Sequence, residues 1–265
     1  MKANWKWAIM FVAVLALVAC NKKPAGGGED PEDPQEEYVQ KINVNDGTLA
    51  DWANVPQDKV VSFTCPANAA MLGLKSVKVY ADKFYIFIQV EPNPDDVVDL
   101  AWVPFHVYLD TDNSDATGGY GDQFTDANCD VLLEGAVFGS DDENATFATA
   151  AIPWAPGVFY WWGEVGGSGW EWTDPSVEHS GDDKWGAIIG EGELQGTTSQ
   201  FVDGKFEIQI MRELVPTKAG WSEEEIGIGF DIQQNWSSVG ILPCAAATDE
   251  NPAGHAAKLK VKIDK

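Results

Sequence analysis

Oxygen-bearing side chains crowd into one short stretch of the chain, directly after a run of alternating apolar residues. Four candidate metal ligands stand within six positions: Asp110, Asp112, Asn113 and Asp115. Calcium takes roughly six to eight oxygen ligands, and carboxylates, amides and carbonyls on a turn-rich loop are its usual donors. The later acids Asp122, Asp126 and Asp130 are close enough in sequence to complete such a shell. The stretch predicts a structural calcium site, with a solvated acidic loop as the alternative.

Tryptophan is the second residue type that could do chemistry here, since the chain has twelve and six fall within residues 145–196. A pyranose has a face of C–H bonds and a rim of hydroxyls, which an indole ring and a few amides or carboxylates can match. The candidate stacking residues are Trp102, Trp161, Trp170 and Trp172. In a strand, Trp170 and Trp172 would share one face and form a platform. The alternative is that most of these rings pack beneath long loops.

Strands must position both groups, because apolar residues recur with a period of two along much of the chain. This alternation runs through residues 103–109, 206–210, 226–233 and 259–263, as in strands with one buried face. Asp203 and Gly204 are typical of a hairpin turn between two such runs. No long helical period occurs in the sequence. We therefore predict an all-β fold: an antiparallel β-sandwich in one domain, with a long tryptophan-rich middle segment.

The first residues have the pattern of an export signal. A basic start precedes an apolar run over residues 8–19, which is too short to span a bilayer. The run ends in Leu-Val-Ala-Cys, which resembles a bacterial lipobox and predicts a lipid anchor on Cys20; an ordinary signal peptide is the alternative. We expect residues 1–19 to be the signal peptide, 20–37 a disordered acidic tether and 38–265 the folded domain. The expected location is the outer membrane, on the cell surface or the periplasmic face, with the lipid as the only membrane contact.

Charge and cysteine content narrow the function classes. A net charge of −25 repels phosphate backbones, so nucleic acid is excluded as an expected partner. The acids show no spacing that singles out a catalytic pair, and the three histidines belong to no zinc or nucleophile motif, so we predict a non-enzyme. Cys65, Cys129 and Cys244 are an odd number for an exported chain. We expect buried thiols, with a single disulfide bridge as the alternative.

Several segments, taken in order, are similar to one known family. Residues 46–52, DGTLADW, resemble the D-G-x-L-x-D-W opening of the family 9 carbohydrate-binding modules and their DOMON-like relatives. Residues 84–90 are similar to the second arm of that family's hairpin, and residues 206–216 and 226–233 to its closing strands. The resemblance extends over roughly residues 39–263.

The resemblance implies a jelly-roll-like β-sandwich with a long tryptophan-rich insertion. Such a sandwich grips a polysaccharide or oligosaccharide between tryptophans, with Trp102 as one of them. Its polar partners would be Gln233 and Asn235, beside Trp236. The resulting expectation is a non-catalytic glycan-binding lipoprotein of a glycan-uptake system. One alternative is a structural or adhesion lipoprotein without a sugar site. Another is a haem-binding electron-transfer domain, since some DOMON-like sandwiches bind haem through methionine plus histidine or lysine. Here the ligands would be Met211 or Met71 with His106.

Overall fold

The computed structural model describes residues 38–119, 123–126, 128–172 and 186–265. The predicted signal peptide, Cys20 and the tether lie outside the described residues. Gln40–Lys265 form one compact unit. Among the described residues, none of the helices has the length and apolar character that crossing a membrane requires.

The described residues form eleven strands and little helix. The strands are β1 (Val61–Thr64), β2 (Leu74–Asp82), β3 (Tyr85–Pro92), β4 (Val103–Asp110), β5 (Val131–Phe138), β6 (Gly157–Tyr160), β7 (Thr197–Val202), β8 (Lys205–Met211), β9 (Glu225–Gln234), β10 (Ser237–Leu242) and β11 (Leu259–Asp264). A single short α-helix, α1, covers Phe147–Ala150, and 3₁₀ turns cover Ala50–Ala53 and Arg212–Leu214.

The strands form two sets that share β11. The front sheet runs β6-β5-β4-β9, and both β10 and β11 pair with the far side of β9. The back sheet runs β1-β2-β3-β8-β7. The prediction of an all-β, sandwich-like fold is confirmed. The pairing is mixed rather than wholly antiparallel, because the end of β11 leaves β9 and runs parallel to β2 at Ile263 and Asp264.

The core holds the inward side chains of both sheets. The predicted alternation is observed: Phe105 of β4, Phe230 of β9 and Ile208 of β8 all belong to one buried cluster. The rings of Phe105 and Phe230 are nearly parallel, with centroids 6.1 Å apart. Burying each such side chain stabilises the fold by roughly 1.5–3 kcal/mol.

Parts of the outer faces of both sheets are covered as well. On the back sheet, residues 42–55, here named the back cover, pack Trp52 against Tyr80 and Phe87. On the front sheet, residues 161–172, named the front cover, pack Trp161 and Trp172 against Tyr108. Every residue of β4 and β5 is therefore buried, although their alternation predicted one exposed face.

Candidate functional site

One cavity opens at the end of the front sheet where β4 begins and β9 ends. It measures about 250 Å³ and is lined by Asp99, Ala101, Trp102, Pro104, Asn235 and Trp236. Three of the predicted sugar-binding residues thus lie around one opening, and they come from segments far apart in sequence. We call it the aromatic cavity.

Trp236 occupies an unusual place in the backbone. Gln234 pairs with Ser237, so Asn235 and Trp236 are the two central residues of a tight hairpin. Both have positive φ angles, 49° and 61°, a conformation that suits asparagine at the first position and glycine at the second. Positive φ costs a bulky residue on the order of 1–3 kcal/mol. Burial does little to offset this cost, because the Trp236 side chain is 65% exposed.

Trp102 belongs to a loop that one amide ties to this hairpin. The Gln234 Nε2 atom donates to the Asp99 carbonyl at 2.8 Å, and the Val98 N–H donates to Gln234 Oε1 at 3.4 Å. Gln234 therefore holds the loop of Trp102, which is 48% exposed, against the strand that leads into Trp236. The sequence interpretation missed Gln234. The sequence did contain a signal for it. Even-numbered residues of β9 are otherwise apolar and point inward, and Gln234 is a polar residue in that series.

Gln233 does not line the aromatic cavity and belongs instead to a buried polar cluster. Its Nε2 atom donates to Asp231 Oδ2 at 2.7 Å. His106 lies between two carboxylates, with Nε2 2.9 Å from Glu134 Oε2 and Nδ1 3.5 Å from Asp231 Oδ2. The contact with Glu134 has the distance of an ion pair but lies outside hydrogen-bond geometry. Because β4, β5 and β9 are neighbours, the three charged side chains meet on one face.

The protonation of His106 follows from these neighbours. Burial lowers its pKa, but the close contacts with the carboxylates of Asp231 and Glu134 outweigh burial and raise the pKa from 6.5 to about 9. The imidazole is therefore a buried cation at neutral pH. A protonated ring has no lone pair for iron, so this arrangement does not favour the haem alternative; Met211 moreover ends a strand of the back sheet.

The tryptophans of the front cover differ in exposure. Trp170 lies over His106 with ring centroids 6.3 Å apart and is 49% exposed. Trp161 and Trp172 are buried and pack edge to face at 5.1 Å. The predicted platform of Trp170 and Trp172 is therefore not formed. The front cover is irregular rather than a strand, so residues two apart do not share a face.

The predicted calcium ligands separate into two groups. Carboxylate oxygens of Asp110, Asp112 and Asp130 lie within 4.8 Å of one another. Asn113 and Asp115 have other partners: Asn113 Oδ1 accepts from Lys260 at 2.6 Å, and Asp115 Oδ1 accepts from Asn128 at 2.8 Å. Asp130 joins the first two because it directly precedes β5, which pairs with β4.

Electrostatics at this acidic cluster allow a cation but also show a competitor. Burial raises the pKa of Asp130 to about 6, and the charges of Asp112 and Asp110 add to the increase. Within the described part of the chain, Asp110 Oδ1 is buried without a hydrogen-bond partner. An all-oxygen donor set with one orphaned atom fits a hard cation such as Ca²⁺. However, Lys260 Nζ already lies 3.0 Å from Asp110 Oδ2 and supplies positive charge.

A larger open groove of about 490 Å³ lies beside this cluster. It is lined by Asp112, Asn113, Ser222, Glu224, Glu225 and Lys262. These polar and charged side chains offer no aromatic face for stacking. Size alone therefore does not make it the better ligand site, and the aromatic cavity is the stronger candidate.

Comparison with models of known protein families finds no match to this chain. Comparison with curated proteins finds no significant match either.

Proposed function

We propose that this protein is a non-catalytic glycan-binding lipoprotein, which captures a carbohydrate by stacking sugar rings on Trp102 and Trp236. The observation that carries the proposal is the position of Trp236. A residue that is largely exposed and stands where glycine would be less strained contributes little to folding, so a ligand-binding role accounts for it.

The other lining groups supply the polar half of sugar recognition. The amide of Asn235 can donate to and accept from hydroxyls, and the carboxylate of Asp99 can accept from them. Ligand sites typically measure roughly 300–1,000 Å³, so a cavity of about 250 Å³ suits a short stretch of glycan. Asp99 is the only charged residue in the lining, which favours neutral sugars over anionic ones.

The location follows from the first residues of the chain. A lipid on Cys20 would hold the domain at the outer membrane, and residues 20–37 would separate it from the lipid surface. Such a protein would serve glycan uptake by concentrating polysaccharide at the cell surface.

The proposal is tested with a glycan array, followed by titration calorimetry of the best ligand. Trp102→Ala and Trp236→Ala should each weaken binding by about 30-fold or more, since truncating a central aromatic anchor typically costs at least about 2 kcal/mol. Trp236→Gly is the sharpest variant, because it removes the ring and installs the residue that the turn prefers. It should abolish binding while the melting temperature stays the same or rises.

The control is Trp162→Ala, a partly exposed tryptophan that does not line the aromatic cavity and should retain binding. Unchanged affinity in Trp102→Ala and Trp236→Gly would reject this site. If no plant or host polysaccharide binds the wild-type protein, the proposal fails and a structural or adhesion role becomes the better explanation.

A further inference from the structure

Two of the three cysteines in the folded domain lie in contact. The Sγ atoms of Cys65 and Cys244 are 3.1 Å apart, although 179 residues separate them in sequence. The third, Cys129, is buried in the cluster beneath the front cover. The odd number of cysteines thus divides into one adjacent pair and one isolated thiol.

The backbone already holds this pair together. Cys65 follows β1, and its N–H donates to the Lys75 carbonyl at 2.8 Å. Cys244 follows β10. Two further hydrogen bonds hold the loop between β1 and β2 against this part of the chain. The Gly73 N–H donates to the carbonyl of Val239 in β10 at 2.8 Å, and the Ala247 N–H, beyond β10, donates to the Asn68 carbonyl at 2.9 Å. Because a disulfide has a sulfur–sulfur distance of about 2.05 Å, its formation requires a movement of about 1 Å.

We infer that Cys65 and Cys244 form a disulfide in the exported protein, which joins the two sheets of the sandwich covalently, and that Cys129 remains a free thiol. Cys65 belongs to the segment after β1 of the back sheet, and Cys244 to the segment after β10 of the front sheet. The inference depends on export to an oxidising compartment and is independent of glycan binding.

The reaction needs a disulfide-bearing oxidant, such as an exported thiol oxidase or oxidised glutathione. Cys65 is the accessible partner, because it is half-buried whereas Cys244 is buried. Burial raises the pKa of Cys244 to about 12, which also makes it the poorer first nucleophile. The Cys65 thiolate attacks the oxidant, forms a mixed disulfide and releases one thiolate. Cys244 then loses its proton, attacks the Cys65 sulfur of the mixed disulfide and displaces the other half of the oxidant as a second thiolate. The cysteine pair thereby loses two protons and two electrons, and the oxidant becomes two thiols.

The bridge would also fix the strand that follows Trp236. β10 begins directly after that residue, and Cys244 stands two residues past its end. Closing a loop of this length in the unfolded chain stabilises the folded state. We expect a melting temperature higher by about 5–15 °C in the oxidised protein than in dithiothreitol.

The test uses the full chain recovered from an exporting host, alkylated in denaturant without reductant and mapped by peptide mass spectrometry. The expected result is a linked Cys65–Cys244 peptide pair that disappears after reduction, with Cys129 alkylated. Treating reduced protein with oxidised glutathione should restore the link. Cys65→Ser and Cys244→Ser should each remove the effect of dithiothreitol on melting, whereas Cys129→Ser should keep it. Alkylation of all three cysteines after both treatments, or a link that includes Cys129, would overturn the inference.

Discussion

The back cover and the front cover both place tryptophan over the outer face of a sheet, but the front cover leaves Trp170 half exposed. Trp52 of the back cover is buried, and its indole N–H donates to Glu207 Oε1 at 2.7 Å. Trp170 of the front cover leaves half its surface exposed above His106. One cover therefore completes the fold, while the other keeps an aromatic surface open to solvent.

The polar groups beneath the two covers differ in the same way. Glu207 accepts from both Trp52 and Gln200, so its two oxygens have partners. At the front face, Asp231 Oδ1 beneath the cover and Trp172 Nε1 in the cover are buried and have no hydrogen-bond partner within the described ranges. Proteins tend to break the rules of packing and hydrogen bonding where function requires it. We therefore expect the back face to serve stability and the front face to carry the proposed binding site.

The largest expected effect is loss of stability at the back cover. Trp52→Ala should lower the free energy of unfolding by about 3–5 kcal/mol, because it opens a cavity and leaves Glu207 short of a donor. Chemical denaturation measures this change. Trp52→Phe should cost less, since it keeps most of the apolar contact. Glycan affinity of the folded Trp52→Ala protein should equal that of the wild type, and a loss as large as that of Trp236→Ala would remove the division between the faces.

The second effect is a pH dependence that belongs to the front face. The pKa of His106 is raised in the folded state, from 6.5 to about 9, so its contribution is complete below pH 6.5 and is lost as the pH rises through 9. At about 1.4 kcal/mol per pKa unit, the loss is about 3 kcal/mol. Urea unfolding between pH 6 and 10 measures it.

The control for that pH dependence is His106→Gln. The variant should be less stable at pH 6, because Glu134 and Asp231 lose their buried cation, and this His106-dependent slope should disappear. Glu191 also interacts with His106 and Glu134. Burial and, to a smaller extent, the charge of Glu134 raise the pKa of Glu191, whereas the charge of His106 lowers it. A wild-type slope no steeper than that of His106→Gln would contradict the ion-pair assignment.

Most of the fold could be predicted from the sequence because burial follows the strand period. Phe105, Phe230 and Ile208 are inward where alternation places them. Two features could not be predicted this way. The cover over β4 and β5 is a contact between distant segments, and the parallel end of β11 depends on how the sheets curl together.

The candidate site could be predicted only in part. The family resemblance pointed to Trp102, Gln233, Asn235 and Trp236, and all of these except Gln233 line one cavity. The spacing of Trp170 and Trp172 misled, because a period of two has meaning only within a strand. Asp130 lies beside Asp110 because β5 pairs with β4, and the separation of the two residues in sequence does not reveal this pairing.

The third prediction concerns the side-chain amide of Gln234, which holds the loop of Trp102 next to Trp236. Gln234→Ala should lower glycan affinity about 5-fold, since about 1 kcal/mol of hydrogen bonding to residues 98–99 is lost and the loop of Trp102 gains freedom. Gln234→Glu can still accept from Val98 but cannot donate to Asp99, so its loss should be intermediate. Gln195→Ala, on an exposed loop, serves as the control. Equal affinities in calorimetry would mean that Gln234 does not position the site.

The last prediction concerns charge balance at the far end of β4. On the back face, Lys41 pairs with Asp264 at 2.6 Å, whereas Lys260 faces three converging carboxylates on the front face. A structural Ca²⁺ would offset that excess. At tenfold excess over its dissociation constant, calcium should stabilise the protein by about 1.4 kcal/mol and raise melting by about 3–6 °C relative to EDTA.

The size of the calcium effect should depend on pH. The pKa of Asp130 is raised to about 6, so this carboxyl is largely protonated at pH 5 and stability is lost as it ionises at higher pH. Calcium should therefore stabilise the protein more at pH 7.5 than at pH 5. Asp112→Asn should reduce the shift, whereas Asp115→Asn should leave it intact because Asp115 bonds Asn128 outside the cluster. Identical melting in calcium and EDTA at pH 7.5 would show that Lys260 and Lys258 balance the cluster without a metal ion. The two faces would then differ in aromatic exposure but not in cation binding.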